Sequence, residues 1–201
     1  MGTTSRLPLT FWLLLNNIQF HKNIALLLIL GHGFVASAQT KTYKVDVEKS
    51  QIEFKVKHLG VLNVEGSFKD FEGSLIFSGK KLFKINSIIK AESIDTNDEK
   101  RDETLRDSVY FNVIQFPDIS FNSSSIEYSE GSNSIKGILK IKNVERTIDI
   151  PFQLVLRNSG THALIAETIV VRKEFGLDFG AMDALVGNKV KVRLEIVYST
   201  N

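Results

Sequence analysis

From Thr42 to the end of the chain, apolar and polar residues alternate with a period of two. The alternation is clearest over residues 52–58, 148–156 and 190–198. A strand with one face in a core and the other in water shows this period, so each run predicts a strand of an antiparallel sheet. We expect about eight to ten strands and one short helix, which indicates an all-β fold, either a barrel of about eight strands or a sandwich. Residues that favour turns separate the strands at Gly66, Gly73, 78–79, 129–133, 142–143 and 158–160.

The predicted inner faces distinguish a barrel from a sandwich. Two of them mix large and small residues, namely Ile85, Ser87, Ile89 and Ala91 on one strand, and Ile119, Phe121 and Ser123 on another. Small side chains among large ones leave space, and an eight-stranded barrel is just wide enough to hold one slender ligand. The faces therefore favour an antiparallel barrel with an apolar lumen. The other large residues assigned to this lumen are Ile52, Phe54, Val56, Phe68, Phe71, Leu75 and Phe77.

One segment, residues 96–121, interrupts the alternation. Thr96 with Glu99 three residues later is a capping box, which predicts a helix over residues 97–107. Leu105 is the only large apolar residue of this helix, so we expect a short, mostly solvated lid or crossing segment. An aromatic and aliphatic cluster around Phe111 follows it. This cluster either plugs one end of a core or borders a ligand cavity.

The first 38 residues have the features of an export signal. Arg6 and Lys22 are their only charged residues, an apolar run follows over residues 24–35, and Ala36-Ser37-Ala38 suits a signal peptidase. We expect cleavage after Ala38, a single mature domain over residues 39–201, and a periplasmic or secreted location. An uncleaved anchor is the alternative, although twelve apolar residues are short for a membrane span.

The charge balance and the lack of cysteine limit the kinds of partner and of membrane attachment that we expect. The chain has 25 Lys and Arg against 23 Asp and Glu, so without Arg6 and Lys22 the remainder is formally neutral. A nucleic-acid-binding domain needs a basic face, and none is expected here. The chain has no cysteine, which excludes a lipoprotein anchored through an acylated cysteine. We expect neither a nucleic-acid partner nor an integral membrane protein, and a homodimer stays open.

Candidate catalytic and metal-binding residues are sparse. Outside the predicted leader the histidines are His58 and His162, in different regions, whereas a zinc site needs about three protein ligands. We therefore expect no metal, no cofactor and no catalytic residue. His58 is either a hydrogen-bonded strand-end residue or a contact to a ligand's polar head. Residues 176–188 are interpreted as a flexible loop, and Phe175 beside them either caps a barrel mouth or packs in the core.

Arg101 is the cation selected for head-group binding. It is either a helix-surface charge, a guanidinium that meets a phosphate or quinone oxygen, or the partner of Asp102 in a structural pair. Asp102 and Arg106, four residues apart, are a second expected pair.

The run KRDETLRDSVYFNVIQFPDISF resembles the signature of the YceI-like, polyisoprenoid-binding family. The matching positions are Arg101, Asp102, Leu105, Phe111, Pro117, Ile119 and Phe121. Thr104 stands where the family usually has His, and Asn112 where it usually has Asp. Three further blocks resemble the family in the same order, through His58 and the glycines and phenylalanines of 66–73, through 137–144, and through Arg172, Phe175 and Gly176.

This resemblance implies a lipocalin-like antiparallel barrel that binds long isoprenoid chains, such as quinones or polyprenyl phosphates. We expect a carrier, storage or stress-protection protein without catalytic activity, and the competing hypothesis is a β-sandwich that binds another protein. The expected ligand-binding residues are Ile52, Phe54, Val56, His58, Phe68, Phe71, Leu75, Phe77, Ser87, Ala91, Arg101, Leu105, Phe111, Phe121 and Phe175.

Overall fold

The computed structural model describes residues 39–158 and 160–200, so the expected signal segment lies outside the described residues. Eleven strands are present there: β1 Thr40–Lys44, β2 Gln51–His58, β3 Leu62–Phe68, β4 Phe71–Ser78, β5 Lys81–Lys90, β6 Ile94–Asp95, β7 Asp118–Ser129, β8 Ser132–Ile141, β9 Val144–Asn158, β10 Thr161–Val171 and β11 Val186–Ser199. The α-helix of this part of the chain, α1, is Glu99–Arg106. Short 3₁₀ turns occupy Val47–Lys49, Ala91–Ser93, Arg172–Phe175 and Gly180–Leu185.

All eleven strands belong to one antiparallel sheet, in the order β1-β4-β5-β7-β8-β9-β10-β11-β2-β3-β6. The sheet curls on itself, and an isolated bridge between Val45 and Tyr198 joins the β1 side to β11. A single curled sheet confirms the antiparallel barrel and not the two stacked layers of a sandwich. The strand number of about eight was too low because β1 and β6, with five and two residues, are too short to show a period.

The register explains why the period-two pattern was informative. On β2 and β11, Ile52 lies opposite Leu194, and Phe54 lies opposite Val192. Apolar residues thus face apolar residues across the ladder, while the charged residues between them share the outer face, as with Glu53 and Arg193. The inner face of the curled sheet is therefore apolar, as predicted.

An aromatic cluster, here called the floor, packs across one end of the barrel. The Tyr43 ring lies 5.6 Å from that of Phe77 and 5.7 Å from that of Tyr198, and Phe77 and Tyr198 are 5.4 Å apart. His162 stacks on Tyr198 at 5.5 Å. Burial raises the pKa of Tyr198 to about 12, so its hydroxyl stays neutral at any physiological pH.

Two glycines predicted to form turns lie inside strands instead. Gly66 is in β3 and Gly73 is in β4. A Cβ on Gly66 would lie 2.4 Å from Cζ of Phe54 and 2.8 Å from the backbone oxygen of Asp95. Gly66 is therefore required by the close approach of the Phe54 ring and of β6, not by a turn.

Gly66→Ala is expected to lower the free energy of unfolding by about 1–3 kcal/mol, because the added methyl overpacks a site bounded by rigid backbone. Urea denaturation of the purified domain measures this loss. Ser67→Ala, the adjacent change on the same strand, is the control and should have a much smaller effect. Equal stability of the two variants would contradict the close packing at Gly66.

Candidate functional site

The barrel encloses a cavity of about 400 Å³, within the range of roughly 300–1,000 Å³ that is typical of small-molecule sites. Its wall is formed by the inner faces of the curled sheet together with α1 and the segment that follows α1. Most of the lining side chains are aliphatic or aromatic. An apolar ligand therefore loses no hydrogen bonds by entering most of this space.

Eleven of the fifteen residues expected to bind ligand lie on the cavity wall: Ile52, Phe54, Val56, His58, Phe68, Phe71, Ser87, Arg101, Leu105, Phe111 and Phe121. Phe68 links two others of this set, since its ring lies 5.7 Å from Phe54 and 6.2 Å from Phe111. The cluster after α1 thus contributes to the cavity border through Phe111, one of the two alternatives left open by the sequence. Ligand contact by these residues stays a prediction.

Four expected residues, Leu75, Phe77, Ala91 and Phe175, are buried in the core and do not line the cavity. Phe77 belongs to the floor, and Leu75 lies opposite Tyr43 of the floor in the register. Ala91 was placed on a strand face, but β5 ends at Lys90 and Ala91 begins a 3₁₀ turn. Phe175 lies in the 3₁₀ turn after β10 and packs in the core, the alternative to a cap on the mouth.

The wall formed by β8–β11 was not assigned from the sequence. On β10, Leu164, Ala166 and Thr168 line the cavity. The face of this strand was ambiguous because Ala163, on the opposite face, is also apolar and fully buried. The clean alternation of β9 and β11 is the sequence signal that could have identified the residues lining this side, among them Ile148, Ile150, Val190, Val192, Leu194 and Ile196.

A polar network around Thr96 fixes α1 to the barrel. The buried Asp102 carboxylate accepts from the Thr96 backbone N–H at 3.0 Å and from its hydroxyl at 2.5 Å. Arg101 donates from Nε to the Thr96 hydroxyl and from Nη2 to its carbonyl, both at 2.8 Å. Thr96 therefore joins Arg101 to Asp102, and Arg101 is one of the residues that line the cavity.

The predicted capping box was wrong in detail. The cap is Asp98, whose carboxylate accepts from the Arg101 N–H at 3.1 Å, because the Thr96 hydroxyl is already engaged by Asp102. The expected Asp102–Arg106 pair does not form. Arg106 instead donates to the carbonyls of Glu92 and Ile94, which attaches the end of α1 to β6.

Thr96→Val is expected to lower the free energy of unfolding by about 1–3 kcal/mol, because Asp102 and Arg101 each lose a hydroxyl partner without a change of shape. Chemical denaturation tests it against Thr104→Val as a matched control. Thr104 is exposed, and its hydroxyl donates only to the Lys100 carbonyl at 2.8 Å. Similar losses at both positions would contradict the anchoring role of Thr96.

Arg172, which the sequence matched to a family motif without assigning it a role, is a buried cation among the residues that line the cavity. Its side chain is 2% exposed, and it pairs with Asp183 at 2.6 Å. It also donates to four backbone carbonyls, and its guanidinium lies 4.5 Å from the centre of the Phe179 ring. The carbonyls belong to Leu177, Asp183, Val186 and Gly187.

These contacts show that residues 176–188 are not the flexible loop that was expected. Gly180–Leu185 forms a 3₁₀ turn pinned by Asp183 to Arg172 and Lys173. Hydrogen bonds from Lys173 and then from Arg172 hold the pKa of the Asp183 carboxyl well below its usual range. Because Tyr110 packs on Phe179 at 4.9 Å, the same turn also supports the segment after α1.

Two features of residues 39–158 and 160–200 bear on metal binding and on membrane insertion. No group of three or more His, Asp or Glu side chains is arranged to hold a metal ion within these residues. No helix in the same part of the chain is long and apolar enough to cross a bilayer.

The family follows from a comparison with known domain models. The model of the YceI-like domain matches residues 43–198, which span nearly all of the described barrel. The chain belongs to the YceI-like family. Thr104, which stands where the sequence resemblance leads us to expect His, lies on the cavity wall. Asn112, which stands where the resemblance leads us to expect Asp, adopts a left-handed conformation with φ of 51°, which asparagine tolerates better than most residues.

Curated relatives agree with membership in the YceI-like family. A UPF0312 protein of Yersinia pestis is 36% identical over 122 residues, which cover 59% of this chain and 64% of the relative. A UPF0312 protein of Yersinia enterocolitica is 34% identical over 140 residues, or 67% of this chain and 73% of the relative. The chain thus spans just under two thirds of the length of the first relative.

Two solved structures share the fold of this YceI-like chain. Burkholderia cenocepacia BcnA superposes with a TM-score of 0.71 at 23% identity, covering 76% of this chain and 98% of BcnA. A polyisoprenoid-binding domain from Saccharophagus degradans superposes with a TM-score of 0.66 at 13% identity, covering 79% of this chain and 98% of that domain. At these identities the likeness shows the fold alone.

Proposed function

We propose that this protein binds one slender apolar lipid, an isoprenoid such as a quinone or a polyprenyl phosphate, with the tail inside the barrel. The observation that carries the proposal is the apolar cavity of about 400 Å³, with the aromatic floor at one end of the barrel. A long flexible hydrocarbon matches such a space better than a compact polar metabolite does. The Saccharophagus domain, which shares the fold, supports this ligand class.

The strength of binding should come from the tail. Burial of hydrocarbon contributes roughly 0.8 kcal/mol per CH₂, so a five-carbon isoprene unit contributes about 3–4 kcal/mol. Association costs about 4–15 kcal/mol, so a tail of one or two units binds poorly. The head group has less to contact on the wall, where Arg101 offers a guanidinium to a phosphate or quinone oxygen.

We also propose that the protein carries, stores or shields its ligand without changing it chemically. The two arginines that line the cavity, Arg101 and Arg172, already donate to protein acceptors. Within the described residues, the contacts of Arg101 with Thr96 and of Arg172 with Asp183 hold structural elements together. The inference is therefore a binding protein and not an enzyme.

Organic extraction of protein purified from its native source, followed by mass spectrometry, tests this function. We expect an isoprenoid that is absent from an unrelated protein purified in parallel. Extraction that yields no apolar molecule, from protein that also fails to take up an added isoprenoid, would contradict the proposal and favour a protein-interaction module.

Export belongs to the same proposal, because the apolar run and Ala36-Ser37-Ala38 suit a signal peptidase. The mature protein is expected to begin at Gln39 and to appear in the periplasmic or extracellular fraction. N-terminal sequencing of the protein from that fraction measures this. Protein that retains Met1, or that stays with membranes after a salt wash, would contradict cleavage.

A further inference from the structure

The hairpin between β2 and β3 ends in three apolar side chains that face solvent, here called the tip. Leu59, Val61 and Leu62 are 52%, 76% and 56% exposed. A hairpin tip in water usually carries polar residues, because nothing is gained by exposing large apolar ones. These three adjacent side chains therefore form a small apolar projection.

The backbone at the tip adds a second observation. Leu59 has φ of 50° and Gly60 has φ of 73°, so two consecutive residues are left-handed. Such turns favour Asn, Asp or Gly, since a large L side chain is strained there. The chain nevertheless places a leucine at this position and leaves it in solvent, and strain of this kind is typical of functional positions.

The charge around the tip has one sign. Residues 54–64 contain no acidic residue, and they carry Lys55 and Lys57. Lys55 pairs with Glu65, whereas Lys57 has no ion-pair partner within the described residues. Lys189 also lacks one there and lies on β11 in the irregular stretch opposite Lys57. The tip is thus apolar at its end and basic at its base.

The tip also adjoins the cavity. His58, the last residue of β2, lines the cavity and pairs with Val186, which lines it too. Leu59 follows directly and donates its N–H to the Leu185 carbonyl at 2.7 Å, within the segment held by Arg172. Tip and cavity are therefore continuous through one residue.

We infer that the tip docks the barrel onto a lipid bilayer, with its three apolar side chains in the headgroup region and Lys57 and Lys189 facing lipid phosphates. Amphipathic elements with apolar ends and basic flanks bind bilayers in this way. The biological purpose rests on the proposed function, because a bilayer is where an isoprenoid would be collected or delivered. The docking itself does not depend on cargo.

Flotation with vesicles that contain no isoprenoid tests the inference. Wild-type protein should float with vesicles of phosphatidylcholine and phosphatidylglycerol in equal parts. The variant Leu59→Asn/Val61→Ser/Leu62→Ser should bind them roughly a hundredfold more weakly, because it loses most of the apolar area. Lys57→Gln should weaken binding about fivefold on these vesicles and much less on phosphatidylcholine alone.

Leu156→Ser is the matched control, since Leu156 is 65% exposed but lies near the floor, opposite His162. It should float like wild type. The single variant Leu59→Asn distinguishes a loss of membrane binding from a loss of stability. Asparagine tolerates the left-handed backbone at this position, so the fold should not be weakened. It should melt at the wild-type temperature or above and still bind vesicles more weakly.

Binding of a dispersed isoprenoid alcohol, measured on the same variants without vesicles, should be unchanged. Failure of wild-type protein to float, or flotation of the triple variant as strong as that of wild type, would overturn the docking inference. Absence of isoprenoid binding by wild type in the vesicle-free titration would instead overturn the proposed function.

Discussion

Arg172→Leu is expected to lower the free energy of unfolding by roughly 3–5 kcal/mol, the usual cost of removing one partner of a buried ion pair. The guanidinium pairs with the Asp183 carboxylate and donates hydrogen bonds to backbone carbonyls, among them those of Leu177 and Val186. Leucine fills the volume but leaves these acceptors without donors. Urea denaturation measures the loss, and hydrogen exchange should show that residues 176–188 become less protected.

Two further variants define what Arg172 contributes. Arg172→Lys should also be strongly destabilised, because an ammonium cannot reach acceptors arranged around a planar fork. Lys173→Met removes the other cation beside Asp183, but Lys173 is half-exposed, so its loss should cost less than about 1 kcal/mol. A Lys173 effect as large as that of Arg172 would contradict the central role of Arg172.

The low pKa of the Asp183 carboxyl gives this arrangement a defined pH dependence. Because the folded pKa lies below the unfolded value of about 3.9, the stabilising contribution is complete above that pH. It is lost as the pH falls through the folded pKa. Asp183→Asn should therefore lose less stability than wild type on acidification below about pH 4, and parallel losses would contradict this assignment.

Ser87→Phe is expected to weaken binding of a long isoprenoid by at least about a hundredfold, since exclusion of one isoprene unit removes about 3–4 kcal/mol. Ser87 lies on the inner face of β5, opposite Gly73 on β4 and Phe121 on β7. Its small side chain lines the cavity and leaves the space in front of it open. Titration with isoprenoid alcohols of increasing length measures the effect. Wild-type affinity should rise with length and then level off, whereas the variant should level off at a shorter chain.

Ile88→Phe is the control for this substitution, because the next residue of β5 lies on the outer face and is partly exposed. It should bind like wild type. A blocking substitution at Ala91, another small residue expected on the inner face, would not test the lumen because Ala91 is buried outside the cavity. Affinity that does not depend on chain length, or that is unchanged in Ser87→Phe, would place the ligand outside the barrel.

The sequence was sufficient for the barrel and for one half of its cavity. Strands such as β2 and β11 alternate strictly because one face meets the lumen and the other meets water, so Phe54 was assigned inward, and the alternation of β11 offered the same signal for Val192 opposite it. β10 could not be assigned, since it is apolar on both faces and only its pairing shows that Leu164 and Ala166 line the cavity. The role of Gly66 could not be predicted either, because it depends on the close approach of the Phe54 ring from another strand.

The hydrogen-bond networks of Thr96 and Arg172 could not be predicted from the sequence, for a different reason. A capping box at Thr96 is a sound local inference, but a buried carboxylate six residues away competes for the same hydroxyl. Arg172 was part of a recognised motif, yet nothing near it in the chain indicates that its guanidinium donates hydrogen bonds to backbone carbonyls 5 to 15 residues later. Networks of this kind depend on tertiary contacts.

The central claim is that the ligand occupies the lumen, and methyl NMR during titration with a long isoprenoid alcohol tests it most directly. We expect chemical-shift changes and ligand contacts at the lining methyls of Ile148, Leu164 and Val192, with little change at the exposed methyls of Leu156 and Ile169. Changes confined to exposed methyls, with the lining set unaffected, would contradict the account.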